Sequence, residues 1–330
     1  MRLFLYEPTY QRMKAQIHAI CPQAQPILST RDNHILENGK EVRPEEVRAD
    51  VAFISADVFF SPAAKTYFSA IQNGPKIKWM QSAAAGFDNP FLRLLASKAE
   101  IYTNSNGAAK GIAEFVMAMV IDYFQPNPER RAVQAAHQWK RLAFRDIAAT
   151  NWMIIGYGNI GQETGKRAMA FEAHVTGVRR NPQGGEPADV MLRPDEMLAA
   201  LPRMDVVVLT ADSNETTRHI VNAGFLSAMK PGSVLVNIAR GALIDEAALL
   251  DSLNRGVPEC ALLDVFETEP LPADSPFWDH PRVRLTAHCA AASPLMEPRS
   301  DAVFLRNLAH FVNNEPLELV VNFSKDLLIP

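Results

Sequence analysis

Cysteine is scarce in this chain: Cys21, Cys260 and Cys289 are the only three among 330 residues. They are widely spaced and odd in number, which argues against a disulfide framework and fits a reducing compartment. Basic excess is missing too. A formal net charge of -4 and a sequence pI near 6.1 leave nothing spare to neutralise a phosphate backbone, so no nucleic-acid partner is expected. No apolar run reaches the roughly 18 residues of a membrane span, and the opening Met1–Glu7 holds too short an apolar stretch for a signal peptide. A cytoplasmic protein without membrane attachment is the expectation. Low-complexity tracts and repeats of 20 to 50 residues are also lacking, which excludes a solenoid. No metal site is expected.

What is present is apolar material for more than one core. With 48% hydrophobic residues, a chain of this length exceeds the size at which a single core stops growing, and two domains are expected. Short β-rich runs alternate with helical patterns throughout, as in a parallel sheet with crossover helices. Strands are predicted at 3–6, 51–54, 77–81, 152–155, 174–178, 206–209, 234–238, 261–263 and 283–285, most of them continuously apolar, as strands covered on both faces are. From Ile112 to Tyr123 apolar residues fall at helical spacing, but Met117, Ala118 and Ile121 make the other side apolar as well. Such a helix is expected to be buried all round, either inside one domain or against a second subunit.

The run Asn151–Ile155 leads straight into Gly156-Tyr157-Gly158-Asn159-Ile160-Gly161, and a helix with Ile160, Thr164, Ala168 and Phe171 on one face is predicted to follow. Strand, glycine turn and helix in that order form the dinucleotide fingerprint. Gly156 allows a tight turn, Gly158 admits a pyrophosphate against the backbone, and Gly161 lets helix and strand approach. The phosphates then meet free N–H groups at the positive end of the helix dipole. An NAD site normally carries an acid at the end of the next strand, where it accepts the ribose hydroxyls. Here Val178 is followed by Arg179 and Arg180. Two guanidiniums there suit a 2′-phosphate, so NADP(H) is the expected cofactor, with NAD(H) possible. The plain alternative is a solvated arginine pair.

Three further segments carry groups that carbonyl chemistry needs. Val234–Gly241 puts Arg240 at a predicted strand end, the edge where doubly wound sheets bind ligands. Leu263–Pro270 offers Asp264, Glu267 and Glu269 just past a second strand, and Leu285–Ala290 offers His288 past a third. A histidine, with its unperturbed pKa of about 6.5, is suited to exchange a proton with an alkoxide near neutrality. A carboxylate on its far nitrogen fixes the tautomer, and an arginine can grip a substrate carboxylate at two points. Gln81–Asp88 follows another strand with successive small residues, which allows either an anion-binding nest of backbone N–H groups or a plain surface turn.

Taken in order, the glycine turn, Asn237-Ile238-Ala239-Arg240-Gly241, Asp264-Val265-Phe266-Glu267-Thr268-Glu269-Pro270 and Thr286-Ala287-His288 resemble the motifs of the D-isomer-specific 2-hydroxyacid dehydrogenases, over roughly Gly86 to Ala292. The segment 270–278 resembles the glyoxylate/hydroxypyruvate reductase branch more than the formate dehydrogenases of the family. The resemblance implies two Rossmann-like, doubly wound α/β domains with the active site in the cleft between them: 1–101 with 291–330 for substrate, 102–290 for the dinucleotide. It implies a small 2-oxo acid as substrate and a homodimer. It implies Arg240 for substrate binding, Glu269 as partner of the acid/base His288, with Glu267 as the alternative, and Ala84, Ala85 and Gly86 for the substrate carboxylate. Cofactor contacts are implied at Gly156, Gly158, Asn159, Ile160, Gly161, Arg179, Arg180, Thr210, Ile238, Ala239, Asp264 and His288. The chain departs from the pattern at Ala287, where proline is usual, at Cys289, where the family has a hydrophobic residue, and in Leu209–Asn214, which lacks a proline. Rival readings are a dinucleotide sensor of the C-terminal-binding-protein type and a formate- or phosphite-type dehydrogenase.

Overall fold

The structure, a computed structural model, describes residues 1–86 and 89–321. It separates into two compact units, one formed by Met1–Ala108 and the chain from Ser293 onward, the other by Ala109–Ala292. The first unit holds β1 (Arg2–Tyr6), β2 (Gln25–Ser29), β3 (Ile35–Glu37), β4 (Lys40–Glu41), β5 (Val51–Ile54), β6 (Ile77–Ser82) and β7 (Ala99–Thr103) in the order β4-β3-β2-β1-β5-β6-β7. β2, β1, β5, β6 and β7 pair in parallel, and β3 alone is reversed, pairing antiparallel with both β2 and β4. Its core stacks Phe4 on Tyr67 and Phe53 on Phe304, with Trp79 against Phe304 and Phe311.

The second unit holds β8 (Asn151–Ile155), β9 (His174–Val178), β10 (Val190–Leu192), β11 (Val206–Leu209), β12 (Val234–Asn237), β13 (Cys260–Leu263) and β14 (Val283–Leu285). All pairings are parallel, in the order β10-β9-β8-β11-β12-β13-β14. Strand order reverses between β8 and β11. A crevice opens at such a reversal, outside the carboxyl ends of the strands, and ligands of open α/β sheets bind there. Every residue of β11, β12 and β13 is buried, because helices cover both faces, which is why these strands read as uninterrupted apolar runs.

Five strands were not anticipated. β3 and β4 are polar and short, yet Glu37-Asn38-Gly39-Lys40 carries the hairpin signal, with Asn38 and Gly39 both at positive φ. β2 contains a proline, β10 is a three-residue edge strand, and β7 exposes two successive residues, Glu100 and Ile101, instead of alternating. Of the two helices singled out, the first is not buried all round within its own unit, and the second is corrected at Phe171. The helix Ala109–Phe124 buries Ile112, Ala113, Val116, Met117 and Val120, but Glu114, Ala118 and Asp122 are exposed and Phe115, Met119, Ile121 and Tyr123 only half-buried. Phe171 closes the helix Asn159–Ala170 as its C-terminal cap and is about half exposed, instead of sharing the buried face of Thr164 and Ala168.

Candidate active site

The glycine turn follows β8 directly, and the helix Asn159–Ala170 starts from it. Gly156 has φ +97°, and a Cβ there would collide with the backbone of Thr210 and Ala211, so only glycine serves. Thr210, just past β11, clamps the turn by donating its hydroxyl to the carbonyls of Gly156 (2.7 Å) and Ile155 (3.2 Å). Gly161 closes against Gly156 and Ile154, while the space above Gly158 is open and Gly158 and Asn159 are exposed. Ile160 is half-buried. A turn that is packed below and bare above, at the start of a three-turn helix, fits a dinucleotide pyrophosphate. Tyr157 is the part that the motif alone does not explain. Its ring fills the gap beside Gly165 and Gly177, and its hydroxyl donates to the carbonyl of Pro187.

Arg179 and Arg180 come next after β9, but Arg179 is already engaged. Its Nη1 donates to Glu186 Oε1 at 3.3 Å, while Arg180 is exposed.

Past β12, Asn237 staples the turn that presents Arg240. Its Oδ1 accepts the Ala239 N–H at 3.1 Å, and its Nδ2 donates to the Arg240 carbonyl at 2.9 Å. Ile238 and Ala239 are buried. Gly241 is pressed so closely onto Phe266 and Glu267 that any Cβ would overlap their backbone. The Arg240 turn and the Asp264–Glu269 loop are thereby docked on each other. The Arg240 guanidinium donates to the Ala239 carbonyl at 2.6 Å and is half-buried.

His288 and Glu269 meet: His288 Nδ1 lies 2.6 Å from Glu269 Oε2. A carboxylate only accepts, so Nδ1 carries the proton and Nε2 is left as the working nitrogen. Glu269 is itself oriented, its Oε1 accepting the Phe266 N–H at 2.9 Å. The Glu267 carboxylate is turned elsewhere, pairing with His219 at 2.5 Å and Arg218 at 3.5 Å. The Glu267 N–H donates to Glu246 Oε1 at 2.7 Å, and burial pushes the Glu246 carboxyl above its ordinary range.

Asp264 anchors the turn that carries His288. Fully buried, its carboxylate accepts the Thr286 hydroxyl (2.5 Å) and the N–H groups of Cys289 and Ala290 (both 2.9 Å). Its carbonyl accepts the His288 N–H at 2.8 Å. These bonds hold His288 in the left-handed region at φ +49°, an uncommon conformation for a non-glycine residue and one that concentrates at functional sites. The sequence marked Asp264 as an acid past a strand, but not that the fold would turn its carboxylate inward.

In the first unit, Ala84, Ala85 and Gly86 follow β6. The Ala84 N–H donates to Ser82 Oγ at 3.1 Å, and the Ala84 and Ala85 carbonyls accept from Ser105 N–H and Asn104 Nδ2. The Ala84 N–H is therefore committed within the loop, and Ala85 is exposed. Phe87 and Asp88, which complete the segment read from the sequence, lie outside the described residues. No cluster of three or more His, Cys, Asp or Glu able to hold a metal occurs among the described residues.

Residues 117–290 match the family model of the D-isomer specific 2-hydroxyacid dehydrogenase NAD binding domain, more than half of the chain. The chain belongs to the D-isomer-specific 2-hydroxyacid dehydrogenases. Among curated relatives, the glyoxylate/hydroxypyruvate reductase A of Serratia proteamaculans is 30% identical over 214 residues, 65% of this chain and 68% of that protein. The D-3-phosphoglycerate dehydrogenase of Methanocaldococcus jannaschii is 30% identical over 259 residues, 76% of this chain, and this chain spans only 49% of its length. A solved D-isomer specific 2-hydroxyacid dehydrogenase from Xanthobacter autotrophicus, in complex with NADPH and MES, shares the fold with a TM-score of 0.75 at 24% identity, covering 99% of both chains. Family and fold therefore agree on two parallel-sheet, Rossmann-like units and a nicotinamide cofactor.

Proposed function

We propose that this protein reduces a small 2-oxo acid, of glyoxylate or hydroxypyruvate size, to the D-2-hydroxy acid, with NADP(H) preferred over NAD(H). The observation that carries the chemistry is the 2.6 Å contact between His288 and Glu269, two loops that arrive from different strands. The bound nicotinamide supplies the hydride. Arg240 grips the substrate carboxylate and polarises the carbonyl, so negative charge building on oxygen meets a fixed cation. His288 donates its Nε2 proton to that oxygen, and Glu269 stabilises the imidazolium before transfer and holds the ring in place after it. Asp264 and Thr286 keep the histidine turn in register. Gly156, Gly158, Asn159, Ile160 and Gly161 seat the pyrophosphate, and Thr210, Ile238 and Ala239 line the strand ends beside it. Ala85 and Gly86 remain candidates for a substrate anion.

The reductase-sized substrate draws support from the Serratia relative's name, whereas the phosphoglycerate dehydrogenases point to a phosphorylated acid. A screen of glyoxylate, hydroxypyruvate, pyruvate, phenylpyruvate and 3-phosphohydroxypyruvate with each reduced cofactor separates the two. Highest kcat/KM on glyoxylate or hydroxypyruvate supports the proposal, and highest kcat/KM on the phosphorylated acid overturns it. Cofactor binding without turnover of any 2-oxo acid points to a dinucleotide sensor, and oxidation of formate or phosphite points to the remaining rival. A homodimer and a cytoplasmic setting complete the proposal, the latter on the scarcity of cysteine.

A further inference from the structure

Arg179 stands at the end of β9, beside the glycine turn: the N–H groups of Gly156 and Tyr157 both donate to the Val178 carbonyl, at 2.9 and 3.0 Å. The chain then doubles back through Gly184 and Gly185, both at positive φ. This return brings Glu186 under Arg179. Glu186 Oε1 accepts from Arg179 Nη1 at 3.3 Å and from the Gln183 N–H at 2.7 Å. The Glu186 side chain is only 5% exposed, and its Oε2 is buried without a hydrogen-bond partner. The return is pinned on its far side by Tyr157, whose hydroxyl donates to the Pro187 carbonyl, and by Asp189, whose carboxylate accepts the Val175 N–H. The carboxylate is thus not a chance surface partner. It is built into a closed loop and aimed at the arginine.

We infer that Glu186 is a specificity-determining residue for the cofactor: it occupies Arg179 as the chain's own anion, in the place of a 2′-phosphate, and so sets how strongly NADP(H) is favoured. This rests on the proposed role of Arg179. A 2′-phosphate arriving there exchanges one anion for another on the same guanidinium, so the gain is the difference between two charge-assisted contacts. Glu186 also repels the phosphate. The pairing therefore tempers a preference that the sequence, showing only two arginines, suggests is strong.

The test uses the full chain and two fragments of the cofactors, 2′,5′-ADP and 5′-AMP, with dissociation constants from calorimetry and kcat/KM for NADPH and NADH as a second readout. Glu186→Gln keeps an oxygen for the Gln183 N–H and removes the charge. It is expected to tighten 2′,5′-ADP about tenfold, to change 5′-AMP less than about twofold, and to raise the NADPH/NADH ratio about tenfold, one charged contact being worth on the order of a factor of ten. Arg179→Ala should weaken 2′,5′-ADP by about the same factor, and Glu186→Gln added to it should tighten 2′,5′-ADP less than it does beside Arg179, since the competition for the guanidinium is then gone and only the repulsion is relieved. Glu186→Ala is the second variant should the amide disturb the loop, and retained 5′-AMP binding certifies the fold in each case. If Arg179→Ala weakens 2′,5′-ADP while neither Glu186 variant tightens it, the role of Glu186 is overturned and that of Arg179 stands. If Arg179→Ala changes nothing, both fall.

Discussion

Glu267 and Glu269 stand two positions apart in one loop and each holds a histidine, His219 and His288 respectively. Only the second pair includes the histidine that Asp264 holds in place, through the His288 N–H and those of Cys289 and Ala290. His288→Ala is expected to lower kcat for 2-oxo acid reduction by roughly 100- to 10,000-fold, the usual cost of losing a general acid, with cofactor affinity little changed. Glu269→Gln loses the carboxylate that fixes the His288 ring, so kcat should fall about tenfold or more, whereas Glu267→Gln should leave it nearly unchanged. The opposite order of effects on kcat would reverse the two roles. The residue types and their order were legible in the sequence. Which carboxylate meets which imidazole was not, because two residues in sequence turn opposite ways in the loop, and only the fold decides which way each turns.

Among the elements, the strands buried on both faces were legible because nothing but apolar, often β-branched residues satisfies such a position. Two edge strands escaped notice: β4 because it holds no apolar run, and β10 because its run, Val190–Leu192, is only three residues long. The join of β8, β11 and β12 is fixed by polar contacts that no periodicity announces. Asp205, just before β11, accepts the Asn151 N–H at 2.8 Å, Lys230 Nζ at 2.8 Å and Arg145 Nη2 at 2.9 Å. Burial alone would raise its carboxyl, but these partners hold it below the ordinary value of 3.8. A folded-state pKa lower than the unfolded one stabilises above the unfolded value, and the contribution disappears as pH falls through the folded one. Asp205→Asn should therefore cost about 2 kcal/mol in urea unfolding at pH 7, in line with hydrogen bonds to a charged group. At a pH well below 3.8 the variant and the parent should converge. An equal difference at both pH values would show that the charge contributes nothing.

At the scale of the whole molecule, the helix Ala109–Phe124 turns one side to the helix Asn159–Ala170 and leaves Phe115, Ala118, Met119 and Tyr123 partly or fully uncovered. Trp139 is fully exposed and Phe144 is 55% exposed farther along the same unit. Apolar surface of this extent on the described residues suits a second copy of the chain, and two-fold pairing is the commonest closed arrangement. Light scattering at micromolar concentration should give about twice 36.5 kDa, and Met119→Glu should lower that mass toward the monomer. A monomer mass for the parent protein would refute the pairing. The division of the chain has a further consequence, for synthesis. Phe304 and Leu308, which complete the core around Phe53 and Trp79, leave the ribosome only after the whole of Ala109–Ala292 has been made. The second unit is contiguous and can close on itself while translation continues, but the first must wait with an unfinished interior. Residues 109–292 expressed alone should unfold cooperatively, and residues 1–108 alone should collect on chaperones or precipitate until 293–330 is supplied in trans.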